Sequence, residues 1–436
     1  MAKVTVVGTG YVGLIQGVCL ADVGHDVVCV DLDAEKIARL SSGIPTIYEP
    51  GLAELLASGI ASGRLRFATP AEGWSALIGD VVFVAVGTPM GENGGADLSY
   101  VRAVADTVAA QAVAPLTLVM KSTVPPGTGS ALSARHLADA VVEIGYVSNP
   151  EFLREGHAIE DWYHTDRVVI GGDDARAIDK VAELYASLDA PIVVTDVASA
   201  ETIKYASNAF LSTKISFINE IANLCDAIGA DVGAVANGIG LDTRIGPAFL
   251  NAGIGYGGSC FPKDTRALDF IATMNGYQFD LLKAVIDVNN RQRLLPLIQL
   301  TRAIPDLWQR KVAVLGLSFK PMTDDVRESP ALDIIPLLLE EGATVSAFDP
   351  IAGPVDLGGA VRCDSVWDAL DGASAAVLVT DWAELIELDW ERARSVMTEP
   401  AIIFDGRNAL DGQAVTAAGL GYMAVGKPGR HRSLPS

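Results

Sequence analysis

Gly8-Thr9-Gly10-Tyr11-Val12-Gly13 decides how this chain is read. The hexapeptide has the pattern GxGxxG, follows the apolar run Val4-Thr5-Val6-Val7 and opens a helix-like run over 11–23. The next apolar run, Val27-Val28-Cys29-Val30, ends on Asp31. Three glycines alone are a weak signal. A strand before them, a helix behind them and an acid about 20 residues on make a dinucleotide-binding unit. The glycines let the backbone approach a pyrophosphate at the helix N-terminus, where the helix dipole favours negative charge. Asp31 is placed to accept hydrogen bonds from an adenosine ribose and to repel a 2′-phosphate, which favours NAD over NADP. Lys36 either flanks that ribose or is an ordinary surface lysine.

Outward from this unit, short apolar runs recur at 81–86, 117–120, 167–170 and 192–195, separated by helical or turn-rich stretches. The alternation predicts a parallel, doubly wound α/β sheet. From about 200 to 228 the pattern changes. Ile203, Phe210, Phe217, Ile221, Leu224 and Ile228 fall at helical spacings with no Pro or Gly among them, predicting one long helix that spans between domains or forms a dimer interface. Near 311 the opening pattern returns, with Lys311-Val312-Ala313-Val314-Leu315-Gly316 resembling Lys3-Val4-Thr5-Val6-Val7-Gly8. A helix then starts at Ser329 (N-cap) and Pro330 (N1), and strands follow at 344–348, 375–380 and 401–404. We therefore expect two Rossmann-like domains, 1–198 and 306–426, joined by a helical central domain, 199–305, with a flexible tail at 427–436.

With 436 residues, half of them hydrophobic, the chain has ample core for two or three domains. The formal net charge of −22 argues against nucleic acid or an anionic membrane as partner, so any phosphate site must be built locally. No apolar run is long enough to span a bilayer. The opening Met1-Ala2-Lys3-Val4 lacks the apolar stretch of a signal peptide. The five cysteines are scattered, with no CxxC pair, which argues against disulfides and zinc and points to a reducing, cytoplasmic setting.

Gly255-Tyr256-Gly257-Gly258-Ser259-Cys260-Phe261-Pro262-Lys263-Asp264 carries the chemistry. Its glycines allow close approach of a ligand. Cys260 stands just ahead of Pro262, a good first residue of a helix, so the helix dipole and Lys263 should both favour a thiolate. Asp264 lies four residues on and can share a face with Cys260. Lys204 and Asn208 have i,i+4 spacing on the predicted long helix, and a lysine beside an amide suits an alkoxide or oxyanion. Glu151 and Glu155 have the same spacing in Asn149-Pro150-Glu151-Phe152-Leu153-Arg154-Glu155-Gly156, and a carboxylate facing a thioester suits activation of water. On spacing alone, each of these pairs reads as well as a solvated helix face.

Taken together, these motifs closely resemble the UDP-glucose/GDP-mannose dehydrogenase family. GTGYVG, VGTP (86–89), KSTVPPG (121–127), NPEFLREG, the Lys204/Asn208 helix, GYGGSCFPKD and GLSFKPMTDDVRES (316–329) occur in order along essentially the whole chain. Within the family, the form around Cys260 resembles the enzymes that act on UDP-glucose, since GDP-mannose and UDP-N-acetylmannosamine dehydrogenases usually vary there. The resemblance implies oxidation of UDP-glucose to UDP-glucuronate with NAD. Cys260 is then the nucleophile, Glu151 promotes hydrolysis, Lys204 and Asn208 bind the C6 oxygen, Asp264 assists through water, and Thr123 lies near the reacting carbon. It further implies NAD contacts at Thr88, Thr123, Glu155, Lys263 and Arg327. Substrate contacts are implied at Phe152, Leu153, Phe249, Leu250, Asn251, Gly253, Gly257, Lys320 and Arg407, with Arg244 reaching the sugar nucleotide of a neighbouring subunit in a homodimer.

The second Rossmann-like half departs from the fingerprint. After Gly316 come Leu317-Ser318-Phe319-Lys320 rather than further glycines, which favours UDP over a second dinucleotide, with Lys320 facing the diphosphate. A two-electron hydroxyacid dehydrogenase would share the first domain and the Lys/Asn pair but needs neither the cysteine segment nor residues 311–436. A non-catalytic NAD-binding regulator would have no use for Cys260, Lys204, Asn208 and Glu151 together.

Overall fold

A computed structural model describes residues 1–91 and 94–427. The chain forms two compact units, Met1–Ser207 and Asn208–Ser436, and the division falls inside one continuous helix, Val197–Ile228.

In the first unit, strands β1 (Lys3–Val7), β2 (Asp26–Val30), β3 (Leu65–Ala68), β4 (Val81–Val84), β5 (Leu116–Met120), β6 (Ile144–Ser148), β7 (Val168–Gly171) and β8 (Ile192–Thr195) form one sheet in the order β3-β2-β1-β4-β5-β6-β7-β8. Every pairing is parallel except β6 with β7, which meet antiparallel at Ser148 and Gly171. The sheet is thus the expected doubly wound parallel sheet, with one antiparallel step between β6 and β7 that the alternation does not predict. Its central strands are apolar at consecutive positions because helices cover both faces. Val4 and Val6 pack into one core with Leu14 and Val18, while Val7, Val82 and Val84 pack into another with Val101 and Val108.

The second unit holds β9 (Lys311–Leu315), β10 (Thr344–Phe348), β11 (Val361–Arg362), β12 (Ala373–Leu378), β13 (Ile402–Asp405) and β14 (Gly421–Ala424). Their order is β11-β10-β9-β12-β13-β14, all parallel. Ahead of this sheet the chain is helical. The helix Phe261–Met274 carries Cys260 at its N-cap, and Asp280–Gln292 and Leu295–Ala303 follow. Ser329 caps the helix Pro330–Glu340, its side chain accepting from the Ala331 N–H, as the sequence predicts. The expected tail lies, apart from Lys427, outside the described residues. Among the described residues no helix is long and apolar enough to cross a membrane.

The long helix begins where Asp196 accepts from the Ser199 N–H (2.8 Å) and hydroxyl (2.6 Å), a capping arrangement. Its 32 residues give a length of about 48 Å.

Candidate active site

The glycine loop has the shape its sequence demands. Gly8 sits at φ +100, where a Cβ would lie 2.5 Å from the Ala85 carbonyl oxygen, and a Cβ on Gly13 would lie 2.0 Å from the Gly8 carbonyl oxygen. Gly10 is the N-cap of the helix Tyr11–Asp22, has no side-chain cap, and faces open space. A helix N-terminus with an open approach fits the pyrophosphate of NAD. The Asp31 carboxylate accepts from the Thr9 N–H (2.8 Å), the Thr9 hydroxyl (2.7 Å) and the Asp33 N–H (3.1 Å), and Lys36 lies 3.5 Å away. Burial pushes the Asp31 carboxyl up, but these hydrogen bonds and Lys36 outweigh it and hold it below its ordinary value. Val12 is half-buried in the first turn.

Tyr11 turns away from the glycines. Its hydroxyl bonds the Glu49 carboxylate and accepts from the Gly156 N–H (2.7 Å). Buried Glu49 also accepts from Gly156 and Ala158, both at 2.7 Å, and so ties the segment after Glu155 to the start of the first helix. Neither role is visible in the spacing of these residues. Thr88 donates to the Thr123 carbonyl (3.0 Å), joining VGTP to KSTVPPG. Glu201 of the long helix accepts from the Gly127 (2.6 Å) and Gly129 (2.8 Å) N–H groups and fastens the same loop from its far side.

In the first unit the Lys204 ammonium lies 2.7 Å from Glu151 Oε1, with both side chains buried. Glu151 Oε2 accepts from the Leu153 N–H at 2.6 Å. Burial pushes the Glu151 carboxyl up, but Lys204, that N–H and Lys121 together hold it below its ordinary value. The Phe152 ring packs under the Arg167 guanidinium (3.7 Å) and within 5.5 Å of the Lys204 ammonium. Residues 151–156 form an irregular loop, so Glu151 and Glu155 are not a helical pair. Pro150 disfavours a helical conformation at Asn149, and Glu151 turns back on the N–H two residues on. Glu155 is half-buried and adds its charge to those acting on the Tyr11 hydroxyl.

In the second unit Cys260 caps its helix, half-buried, with its Sγ 3.6 Å from the Ser259 hydroxyl. Phe261 takes the first helical position and Pro262 the second, one residue later than the sequence predicts. Asp264, one turn on, is 1% exposed and accepts from Asn208 Nδ2 (2.6 Å) and Lys263 Nζ (2.7 Å). Lys263 thus pairs its charge with Asp264.

The loop ahead of Cys260 is held by its carbonyls. Half-buried Arg407 donates to Gly255 O (3.0 Å), Phe319 O (3.1 Å) and Val379 O. Arg293, unremarked in the sequence, donates to Tyr256 O (2.7 Å) and Glu328 O (3.0 Å), and Asn289 holds both polar groups of the Tyr256 backbone. A Cβ on Gly257 would lie 2.2 Å from the Glu328 carbonyl oxygen, so only glycine fits this close approach of the loop to Glu328. Gly253 donates to Asn219 (2.9 Å), accepts from Gln292 (2.8 Å) and backs onto Gly406. Leu250 belongs to the hydrophobic core, Asn251 is exposed, and Phe249 sits at φ +64 with its ring 6.3 Å from that of Phe261. Lys320 is half-buried beside the Phe319 ring. Arg327 and Arg244 are exposed and forked onto Asp325 and Asp242. After Gly316, the Leu317 (2.7 Å) and Ser318 (2.9 Å) N–H groups point at Asp349 Oδ2.

Comparison with known proteins covers the same ground. Residues 2–189 match the NAD binding domain of the UDP-glucose/GDP-mannose dehydrogenase family, 198–291 its central domain and 313–412 its UDP binding domain. The chain is 46% identical to UDP-glucose 6-dehydrogenase TuaD of Bacillus subtilis, over 100% of this chain and 95% of that protein. It is also 46% identical to a UDP-glucose 6-dehydrogenase of Rhizobium meliloti, over 98% of this chain and 100% of the relative. Among solved structures, a UDP-glucose dehydrogenase from Pyrobaculum islandicum superposes with a TM-score of 0.90 at 39% identity, covering 99% of this chain and 98% of its own. Three consecutive domain matches and full-length identities of this size leave one conclusion: the chain belongs to the UDP-glucose/GDP-mannose dehydrogenase family.

Proposed function

We propose that this protein is a UDP-glucose 6-dehydrogenase, an NAD-dependent oxidoreductase that takes the C6 hydroxyl of UDP-glucose to the carboxylate of UDP-glucuronate through covalent intermediates on Cys260. The observation that carries the covalent route is the placement of Cys260. Of the five cysteines it alone caps a helix, half-buried, where the dipole favours a thiolate.

Alcohol-to-acid oxidation removes four electrons from one carbon as two hydrides. The Gly8–Gly13 loop and Asp31 would hold NAD, which would supply the hydride acceptor for each oxidation. After the first, the carbon is an aldehyde with no hydroxyl from which a second hydride can start. Addition of the Cys260 thiolate forms a C–S bond and a thiohemiacetal, tethering the sugar and restoring an sp³ carbon. Lys204 and Asn208, one helical turn apart on the long helix, hold its oxygen. Loss of the second hydride leaves a thioester. Glu151 then takes a proton from water as the water oxygen attacks the carbonyl carbon, and the C–S bond breaks to return the Cys260 thiolate. Asp264, bonded to Asn208, orients that amide and a water. Overall, one alcohol, two NAD⁺ and one water give one carboxylate, two NADH and three protons.

Family resemblance supplies the remaining assignments. Thr88, Thr123, Glu155, Lys263 and Arg327 are NAD contacts, and Phe152, Leu153, Phe249, Leu250, Asn251, Gly253, Gly257, Lys320 and Arg407 line the sugar-nucleotide site. Arg407 does so by fixing the Gly255 and Phe319 loops, and Lys320 by meeting the diphosphate. The chain divides as 1–198 for NAD, 199–305 as the central part with Cys260, and 306–426 for the UDP-sugar.

The protein works as a homodimer through the long helix. Phe210 (65% exposed), Phe217 (52%), Leu224 (52%) and Ile228 (67%) recur seven, seven and four residues apart and make one apolar stripe that a second copy would cover. Arg244, 87% exposed at its side chain, is then the residue offered to the neighbour's substrate. A catalytic thiol that must stay reduced suits a reducing cytoplasm.

NADH formation measured with UDP-glucose, GDP-mannose and UDP-N-acetylmannosamine tests the reading. Turnover of UDP-glucose with two NADH per sugar supports it. Preference for either other sugar nucleotide would move the substrate assignment, and no NADH with any of them would reject it.

A further inference from the structure

Lys121 ends β5, where Leu116-Thr117-Leu118-Val119-Met120 turns into Lys121-Ser122-Thr123. A lysine at a strand end normally reaches water, yet this one is 6% exposed. Its ammonium donates to Asn149 Oδ1 (3.0 Å) and to the Tyr185 hydroxyl (3.2 Å). Both acceptors are neutral and are themselves locked. Tyr185 donates to Asn149 Oδ1 (2.6 Å) and accepts from Gln16 (3.0 Å), Gln16 accepts from the Trp162 indole (3.1 Å), and Asn149 donates to Val169 O (2.7 Å). A buried ammonium among neutral dipoles is costly unless a negative charge stands near it.

That charge is Glu151, two residues after Asn149, which lines the same cavity as Lys121. The groups facing Lys121 are Glu151 from the 149–151 segment, the Tyr185 hydroxyl from the end of the helix Ala175–Leu184 and Lys204 from the long helix, with Asp161 and Arg167 on the cavity wall. Burial pushes Lys121 down to about 7, with Glu151 pulling it up and Lys204 pushing it down. In return, Lys121 is one of the charges that hold the Glu151 carboxyl down.

Charge balance gives this arrangement a purpose. Lys204 and Glu151 cancel each other, so the trio carries a surplus positive charge only while Lys121 is protonated. In the reaction proposed above, Lys204 must lend its charge to the oxygen on the reacting carbon. Glu151 then loses its ion-pair partner when it has to be ionised to take a proton from water. Lys121 is the second cation beside it, and Asn149 and Tyr185 keep it from following the substrate. We propose that Lys121 is a positioning residue for the hydrolytic half of the reaction, its anchored ammonium keeping Glu151 ionised and in place while Lys204 is engaged with the substrate oxygen.

This inference rests on the proposed function, and the experiment separates the two. The pH dependence of kcat with UDP-glucose and NAD is measured for the unaltered protein, Lys121→Met, Lys121→Gln and Lys121→Arg, with melting curves and intact mass of the protein quenched during turnover. Loss of the Lys121 charge raises the Glu151 pKa. The acidic limb of kcat should therefore move to higher pH by about one unit or more in the Met and Gln variants. Below that limb they should accumulate acyl adduct on Cys260, with the KM for UDP-glucose little changed. Lys121→Arg should keep the limb of the unaltered protein even if its bulk lowers kcat or the melting temperature. Limb positions that are the same in all four proteins, or that follow melting temperature rather than charge, would overturn the inference. An unaltered protein that does not oxidise UDP-glucose would instead overturn the function on which it rests.

Discussion

Lys204 and Glu151 make a 2.7 Å ion pair with side chains only 4% and 5% exposed. Removing one partner of such a pair leaves the other charge buried and uncompensated, at about 3–5 kcal/mol. Lys204→Met should destabilise the protein by roughly that amount at neutral pH, and kcat should fall at least about 100-fold through loss of a donor to the developing oxyanion. The pH dependence has a definite sign. Glu151 is held below its ordinary pKa in the folded protein, so its contribution is present above the unfolded carboxylate pKa and is lost as pH falls through the folded value. The stability gap between Lys204→Met and the unaltered protein should therefore narrow on acidification. Denaturant melts from pH 4 to 8, with a gap that did not change, would show that the pair contributes little.

Cys260→Ala should abolish UDP-glucuronate formation while leaving UDP-glucose and NAD binding within a few-fold, since the side chain makes no capping hydrogen bond that the fold needs. Glu151→Gln should let Cys260 be acylated and then stall, giving a covalent adduct visible by intact-protein mass spectrometry. Near-normal acid formation by Cys260→Ala would place the nucleophile elsewhere.

Asp31 closes the first loop on Thr9, and a carboxylate at the end of the second strand should select the cofactor by repelling a 2′-phosphate. The unaltered protein should prefer NAD over NADP, and Asp31→Asn should narrow that preference by about tenfold or more, corresponding to roughly 1.4 kcal/mol. Steady-state kcat/KM for both cofactors checks this, and equal values for the unaltered protein would defeat the assignment.

Phe217 stands mid-stripe on the long helix, 52% exposed. Phe217→Glu should shift the protein toward monomer in light scattering at assay concentration, and activity should fall with it as Arg244 loses its place beside a neighbour's substrate. A fully active monomer would refute both parts.

Local pattern carried much of this structure. The GxGxxG turn, the Ser329 cap, the long Pro-free helix and the cysteine at a helix start each follow from rules that act within a few residues. What escaped the sequence depends on partners far along the chain. β3 and β6 are short, and Gly145 and Arg66 interrupt their apolar runs, so they read as loop until parallel neighbours pair with them. The antiparallel step at β7 is a matter of topology, which alternation cannot encode. At the site, Cys260 stood out by its glycine-rich segment ahead of Pro262, whereas Lys204, Asn208 and Glu151 read equally well as solvated faces until the family resemblance singled them out, and the structure buries all three. Lys121, Arg293 and Glu49 were not legible, because an isolated charge in sequence looks like a surface residue until its burial and its backbone partners are seen. Lys121 did carry one signal, a lysine directly after a strand that is apolar at four of its five positions.

The two sheets share one clasp. β3-β2-β1-β4-β5-β6 and β11-β10-β9-β12-β13-β14 run in the same order, and in each the acid just past the second strand, Asp31 or Asp349, grips the loop after the first. Beyond the first glycine the two part. One opens onto a helix start with free space at Gly10, while the other continues as Leu317, Ser318 and Phe319. Because the carboxylate holds backbone N–H groups in the second loop and one in the first, the clasp does not depend on the side chains that follow, and one scaffold can present two different ligand surfaces.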